Sequence, residues 1–271
     1  MAGPEDCEIM GDGGAGGAVL LIGDSLTAGR PGVGYSSVLK KRLKGHAIAS
    51  CGRGGDTIRG MVSRAGGLVH GYRPPVLVIQ AGTNDLLLPL LASRGAKWAR
   101  LVRYIERKVA PAAADVREFG LLYTDLIDIA GRQGVERIIM TTITCIGEDL
   151  STPVNTRRQE YNEAIRDLAA GRGAIVADTG KAFDLYLARV KKPGSYLLPH
   201  FSGLHPDRFL TAVVSPDILS ALHGLALTLD GVHLNSRGAN LFAESVAHAL
   251  ERYMTPGPGR RLGKYLLGLL R

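Results

Sequence analysis

Apolar residues in this chain come in two rhythms. Short unbroken runs cover 18–22, 47–50, 76–81, 137–144 and 174–177. Between them apolar residues recur every three or four positions, over about 35–44, 57–70, 97–131 and 155–170. Unbroken runs of this length predict strands buried on both faces, and the spaced stretches predict amphipathic helices. Strict strand–helix alternation then predicts an α/β fold: five parallel strands in a three-layer α/β/α sandwich. Pro111 suits the first turn of a second helix within 97–131. Gly171–Gly173 suits the end of the helix before the fifth strand.

The rhythm fails in three places. Residues 1–17 hold six glycines and no periodic pattern, and read as a flexible lead to a single domain over 18–255. Residues 191–229 are apolar, Pro-containing and without a clear strand. Ser215-Pro216-Asp217 has the form of a helix start there. Such an excursion reads equally as a lid over a site or as an extra packing layer. A last helix over about 236–253 stops at Pro256-Gly257-Pro258-Gly259, and a basic, apolar tail fills 256–271. Its leucines and four basic residues suit an anionic membrane surface or a partner chain, and its shortness with Gly263 and Gly268 suits disorder equally.

Composition and charge change this picture only locally. A length of 271 residues, 45% of them hydrophobic, is ample for a core and excludes disorder or a collagen-like repeat. The net charge of +8 invites a nucleic-acid reading. Two segments carry more than all of it, however, and the rest of the chain is mildly acidic. Residues 40–73 hold eight basic residues and one acid, and 256–271 hold four basic residues and no acid. Lys40, Lys41, Arg42 and Lys44 fall at the end of the first long helix, where cations complement the helix dipole. Aromatic residues do not interleave with Lys and Arg as stacking platforms do, so no nucleic-acid partner is expected. Cys7, Cys51 and Cys145 form no CxxC pair, and no HxxxH spacing occurs. Neither a metal site nor a disulfide framework is expected, and a reducing compartment is. The acidic, Gly-rich N-terminus lacks the form of a signal peptide, and no run of 18 apolar residues exists. A cytoplasmic protein is the expectation.

In an open parallel sheet the ligand site lies beyond the carboxyl ends of the strands. Four short strings sit there: Gly23-Asp24-Ser25-Leu26, Gly52-Arg53-Gly54-Gly55-Asp56-Thr57, Gly82-Thr83-Asn84-Asp85 and, before the last helix, Asp230-Gly231-Val232-His233. A serine at a strand-to-helix turn exposes its hydroxyl at a helix N-terminus. An asparagine can donate its amide hydrogen to an oxyanion. An acid three residues before a histidine can fix its tautomer. Each string alone reads as an ordinary turn or cap. Their conjunction, in this order, does not.

The four blocks resemble the SGNH (GDSL) hydrolase family over roughly 18–253. That resemblance implies a flavodoxin-like sheet and a serine esterase needing no cofactor. Ser25 would be the nucleophile, His233 the base and Asp230 its orienting partner. The oxyanion hole would take the backbone N–H groups of Ser25 and Gly52 and the side chain of Asn84. Asp24, Arg53 and Asp85 would lie at the substrate, with Arg59 beside the same mouth. Ser50 departs from the asparagine the family often carries two positions before the glycine of its second block. A small-molecule acyl ester is the implied substrate. Carbohydrate O-acetyl esters, lysophospholipids and thioesters are alternatives on the same scaffold. A non-catalytic basic binding protein is the rival from another class, and it predicts salt-sensitive DNA retention. Cys51, next to Gly52, reads more often as a small buried residue at a strand end, and otherwise as a thiol close enough to the pocket for a bulky reagent to perturb it.

Overall fold

The computed structural model describes residues 7–11, 19–43, 46–191, 194–198 and 214–254. The tail at 256–271, Lys44 and residues 199–213 of the apolar excursion lie outside the described residues. The five expected strands are β2 (Val19–Gly23), β3 (Ile48–Gly52), β4 (Val76–Ile79), β5 (Arg137–Thr141) and β6 (Ile175–Ala177). All pair in parallel. A further strand, β1 (Glu8–Met10), pairs antiparallel with β3. The sheet therefore runs β1-β3-β2-β4-β5-β6, and it is mixed and six-stranded rather than five-stranded and parallel. At three residues among glycines, with no buried position of its own, β1 leaves no periodic signal.

The helices among the described residues are α1 (Ser25–Ala28), α2 (Tyr35–Arg42), α3 (Ile58–Tyr72), α4 (Thr83–Ala92), α5 (Ala96–Lys108), α6 (Val116–Arg132), α7 (Pro153–Arg172), α8 (Thr179–Leu187), α9 (Pro216–Leu222) and α10 (Ser236–Met254). Strand side chains alternate between two layers, as the pleat requires. Leu20, Ile22, Leu77 and Ile79 pack with Met61, Val102, Phe119 and Tyr161 of the α3–α7 layer. Val19, Leu21, Val78 and Ile139 pack with Leu39, Phe183 and Phe242 of α2, α8 and α10. The chain leaves β2 toward β3 on one side and returns to β4 on the other. The topological switch point, where open α/β sheets bind ligands, is thus at the end of β2.

Several boundaries differ from the sequence reading. Pro111 lies in a connection, and α6 begins at Val116. Asp115 accepts from Glu118 N at 2.8 Å while Glu118 Oε2 accepts from Ala114 N at 2.7 Å. That reciprocal cap overrides the proline signal. Helix α4 was not expected, because Leu86–Leu91 is apolar on every side and contains Pro89, which hides any period. Helix α8 was also not expected. Gly173 does close α7, with φ of 64°, and Ser215 does cap α9. Lys40, Lys41 and Arg42 do occupy the last turn of α2.

Cys7 and Cys51 are joined by a disulfide across β1 and β3. Their 44-residue separation along the chain says nothing about distance across a sheet. Two of the three cysteines are thus paired, contrary to what their spacing suggests, and cysteine usage does not point to a reducing compartment. Cys51 offers no thiol to a reagent. Cys145 is free and buried, and burial pushes its thiol far up. Among the described residues, no helix is long and apolar enough to cross a membrane.

Candidate active site

Strand β2 ends in Gly23, whose added Cβ would stand 2.0 Å from Thr27 Oγ1. Only glycine lets the chain turn this tightly into α1. Asp24 caps the helix by accepting from Leu26 N at 2.9 Å. Ser25 is then the first helical residue, 7% exposed, and its N–H has no acceptor within the helix. Gln80, just past β4, clamps this turn. Its Oε1 accepts from Asp24 N and Thr27 Oγ1, both at 3.0 Å. Its Nε2 donates to Asp24 Oδ2 at 2.9 Å.

His233 comes to Ser25 from 208 residues away. Its Nε2 stands 3.1 Å from Ser25 Oγ, and its Nδ1 stands 2.6 Å from Asp230 Oδ2. Asp230 Oδ1 accepts from Val232 N and His233 N, at 2.9 and 2.8 Å. Burial opposes ionisation of Asp230, but His233 and these N–H groups hold its carboxyl below the ordinary value. An ionised carboxylate only accepts. It therefore takes the Nδ1 hydrogen and leaves the Nε2 lone pair facing the Ser25 hydroxyl.

The loop bearing His233 is tied down from a distance. Glu148 is fully buried and accepts from Ala226 N, Leu227 N, Thr228 N and Thr228 Oγ1, at 2.6 to 2.8 Å. Gly147 N donates to Gly231 O at 2.7 Å. A cavity of about 340 Å³ lies beside this tie, between Arg94, Gly147, Asp149, Thr152 and Leu197. A larger one, about 380 Å³, sits at the opposite edge of the sheet near Asp128, Arg132 and Arg172. Size alone does not mark the chemistry here.

Asn84 lies in the first turn of α4, 5% exposed, and its Nδ2 donates to Asp56 O at 2.9 Å. That bond uses one of its two amide hydrogens. Gly52 does not fit its expected role. Arg53 N donates to Gly23 O, so in the parallel ladder residues 51 and 53 face β2. The N–H of Gly52 therefore points the other way, toward β1 and away from Ser25. Gly52 instead gives α1 room, since a Cβ there would stand 2.1 Å from Ala28 N. The backbone that accepts from Asn84 is that of Asp56, whose N–H closes a turn on Arg53 O, with Gly55 at φ of 80°.

Asp24 and Asp85 also need correcting as substrate contacts. Asp24 is wholly buried under Ser25, and its oxygens are spent on Leu26 and Gln80. Asp85 is buried too, accepting from Ile58 N and Ala113 N at 3.1 and 2.9 Å. Burial pushes each up to about 6, against opposing hydrogen bonds. Arg53 is exposed, bonded through Nη2 to Lys108 O, and stays at the rim. Arg59 pairs with Glu118. Three residues under the site were missed. A polar Gln80 ending an apolar strand was a signal in the sequence. Arg64 and Glu148 gave none, because their partners are distant in sequence. Among the described residues, no group of three His, Cys, Asp or Glu could hold a metal.

A flavodoxin-order α/β sandwich with serine, histidine and aspartate meeting at its switch point defines the class as a hydrolase-type three-layer fold. More narrowly, the chain belongs to the GDSL-like lipase/acylhydrolase family, whose sequence profile matches residues 21–209. No curated protein sequence matches. Similar solved structures include LAE5, an alpha/beta hydrolase enzyme from the metagenome of Lake Arreo, with 21% identity and a TM-score of 0.59, covering 87% of this chain and 95% of that one. An acetylxylan esterase from Geobacillus stearothermophilus has 19% identity and a TM-score of 0.57, over 91% and 99%. A putative GDSL-like lipase from Parabacteroides merdae has 18% identity and a TM-score of 0.58, over 87% and 95%.

Proposed function

We propose that the protein hydrolyses carboxylic esters through an acyl-enzyme on Ser25. The observation that carries this is His233 within hydrogen-bond reach of both Ser25 Oγ and Asp230. Ser25 Oγ attacks the ester carbonyl carbon while His233 Nε2 takes its proton. Asp230 stabilises the imidazolium. The oxyanion is held by Ser25 N–H, the second amide hydrogen of Asn84 and a backbone N–H of the Gly54-Gly55 turn, which takes the place first given to Gly52. The intermediate collapses, and the leaving alkoxide takes the proton from His233. Water, deprotonated by His233, then attacks the acyl carbonyl and releases the acid and Ser25. Arg53 is the rim cation of this reading.

A second reading is deacetylation of carbohydrate O-acetyl esters. It is supported by the acetylxylan esterase among the similar structures. An ester series from acetyl to long acyl chains, run on the wild type and Ser25→Ala, tests both. The first reading expects turnover that disappears in Ser25→Ala, and the second expects activity confined to acetyl. Equal activity in Ser25→Ala at unchanged folding overturns both.

A further inference from the structure

Arg64 lies on α3, 7% exposed, and each arm of its guanidinium is committed. Nε donates to Asp56 Oδ2 at 2.7 Å, Nη1 to Cys51 O at 2.8 Å and Nη2 to Gly23 O at 2.9 Å. These acceptors belong to three pieces of backbone that carry the site. Gly23 lies two residues before Ser25. Cys51 lies one residue before the end of β3, where the loop to α3 begins. Asp56 offers its own carbonyl to Asn84 Nδ2. One rigid fork thus sets the spacing between the nucleophile turn and the loop that orients Asn84.

We propose that Arg64 is a positioning residue for the oxyanion donors, acting through Asp56 on Asn84 and the Gly54-Gly55 turn. The proposal rests on the esterase reading for its kinetic consequence but not for its geometric one. Asp56 is fully buried, and its Oδ1 has no hydrogen-bond partner among the described residues. It presses on Gly60, where an added Cβ would stand 2.0 Å from it. Its side chain is therefore oriented by Arg64, by the Thr57 N–H and by close packing. Losing the fork frees Asp56 to turn, and its carbonyl then no longer fixes Asn84.

A buried arginine elsewhere separates this from stability alone. Arg158, on α7, donates to Asp184 Oδ1 at 2.7 Å and to Ile143 O at 3.2 Å, with 1% exposure. Among the described residues it donates no hydrogen bond to the backbone of Ser25, Asp56 or Asn84. Arg64→Lys keeps the charge and loses the three-armed fork. Its kcat for ester hydrolysis should fall about tenfold or more with KM within about twofold, because the lost interaction belongs to the transition state. Arg158→Lys should lower Tm while kcat stays within about twofold. In an Asn84→Ala background, which itself costs about 10²–10³, Arg64→Lys should add less than it costs in the wild type, since one of the donors it positions is gone.

A second readout needs no turnover. The Asn84 side-chain amide resonances should move in Arg64→Lys and hold still in Arg158→Lys. Where Arg64→Lys is too unstable to measure, Arg64→Met with Asp56→Asn removes both buried charges and should show the same loss of kcat and the same shift. Unmoved Asn84 resonances overturn the proposal whatever the protein hydrolyses, and so does wild-type kcat in folded Arg64→Lys. Absent ester turnover in the wild type overturns the esterase reading instead, and the Asn84 resonances then decide on Arg64.

Discussion

The two halves of the site are held by different means. Ser25 is seated by its neighbours in sequence: Gly23 permits the turn, Asp24 caps the helix, and α1 follows at once. His233 sits in a loop without regular structure beyond one isolated bridge from Thr228 to Leu234. Its seat depends on Glu148, which receives three backbone N–H groups and a hydroxyl from residues 78 to 80 positions later. A nucleophile at a helix N-terminus can be built locally. A base that must reach it from the other end of the chain needs a distant buried anchor. Damage to the two seats should therefore have different signatures.

The largest effect is expected at Ser25, the proposed nucleophile. Ser25→Ala removes only an oxygen. Turnover should fall by about 10⁴-fold or more, while Tm stays within a few degrees, as seen by paired kinetics and thermal melts. Glu148→Gln should do the opposite in kind. It leaves one acceptor oxygen and turns an NH₂ toward N–H donors that have no water to replace it. A loss of about 1–3 kcal/mol in stability is expected for the buried donors left unpaired, with kcat reduced through a displaced His233. If Glu148→Gln left the urea midpoint and kcat both unchanged, the contrast between local and distant seating would collapse.

That contrast also explains what the sequence could show. The serine turn, the β4 end with Asn84 and the Asp230-to-His233 spacing are each local, and all were legible. So was the order of strands and helices, because burial on both faces writes continuous apolar runs. Gly52 was misread because pattern shows that a glycine is needed, not which way its N–H points. Asp24 and Asp85 were misread for a related reason: proximity to the site in sequence does not tell facing from supporting. Arg64, Glu148 and the Cys7–Cys51 bond join residues far apart in the chain, and only the packed sheet brings them together. Helix α4 was hidden by its own uniform hydrophobicity.

The disulfide belongs to the Ser25 half, where it fastens β1 to the strand that supports α1. Cys7→Ser should cost about 2–4 kcal/mol, the usual range for closing a loop of this kind. The loss should appear equally as a lower urea midpoint in the wild type treated with a thiol reductant. Hydrogen exchange should locate the loosening in β1 and β3 and spare the Glu148-anchored loop. Loosening spread evenly over both halves would show that the seats are not independent.

The two halves should also differ in sign in the pH dependence of stability. On the Ser25 side, burial raises Asp24 and Asp85 from an ordinary value of 3.8 to about 6, and raises Asp56 as well. Between those values the folded carboxyl keeps its proton and the unfolded one releases it. Stability therefore falls as pH rises through that window, on the order of 3 kcal/mol for one such carboxyl. Asp230, on the histidine side, is held below 3.8. Its contribution is intact throughout that window and is lost only as pH falls through its lowered folded value. Asp85→Asn removes one titrating group from the Ser25 side. It carries its own cost, because Asn turns an NH₂ toward Ile58 N or Ala113 N, but that cost does not change with pH. Urea unfolding of both proteins from pH 4 to pH 7 gives two curves. The wild type should exceed the variant by most near pH 4, and the gap should narrow as Asp85 is forced to ionise. A gap that is constant, or that widens with pH, would mean that Asp85 is already charged at low pH and that its two N–H bonds outweigh its burial.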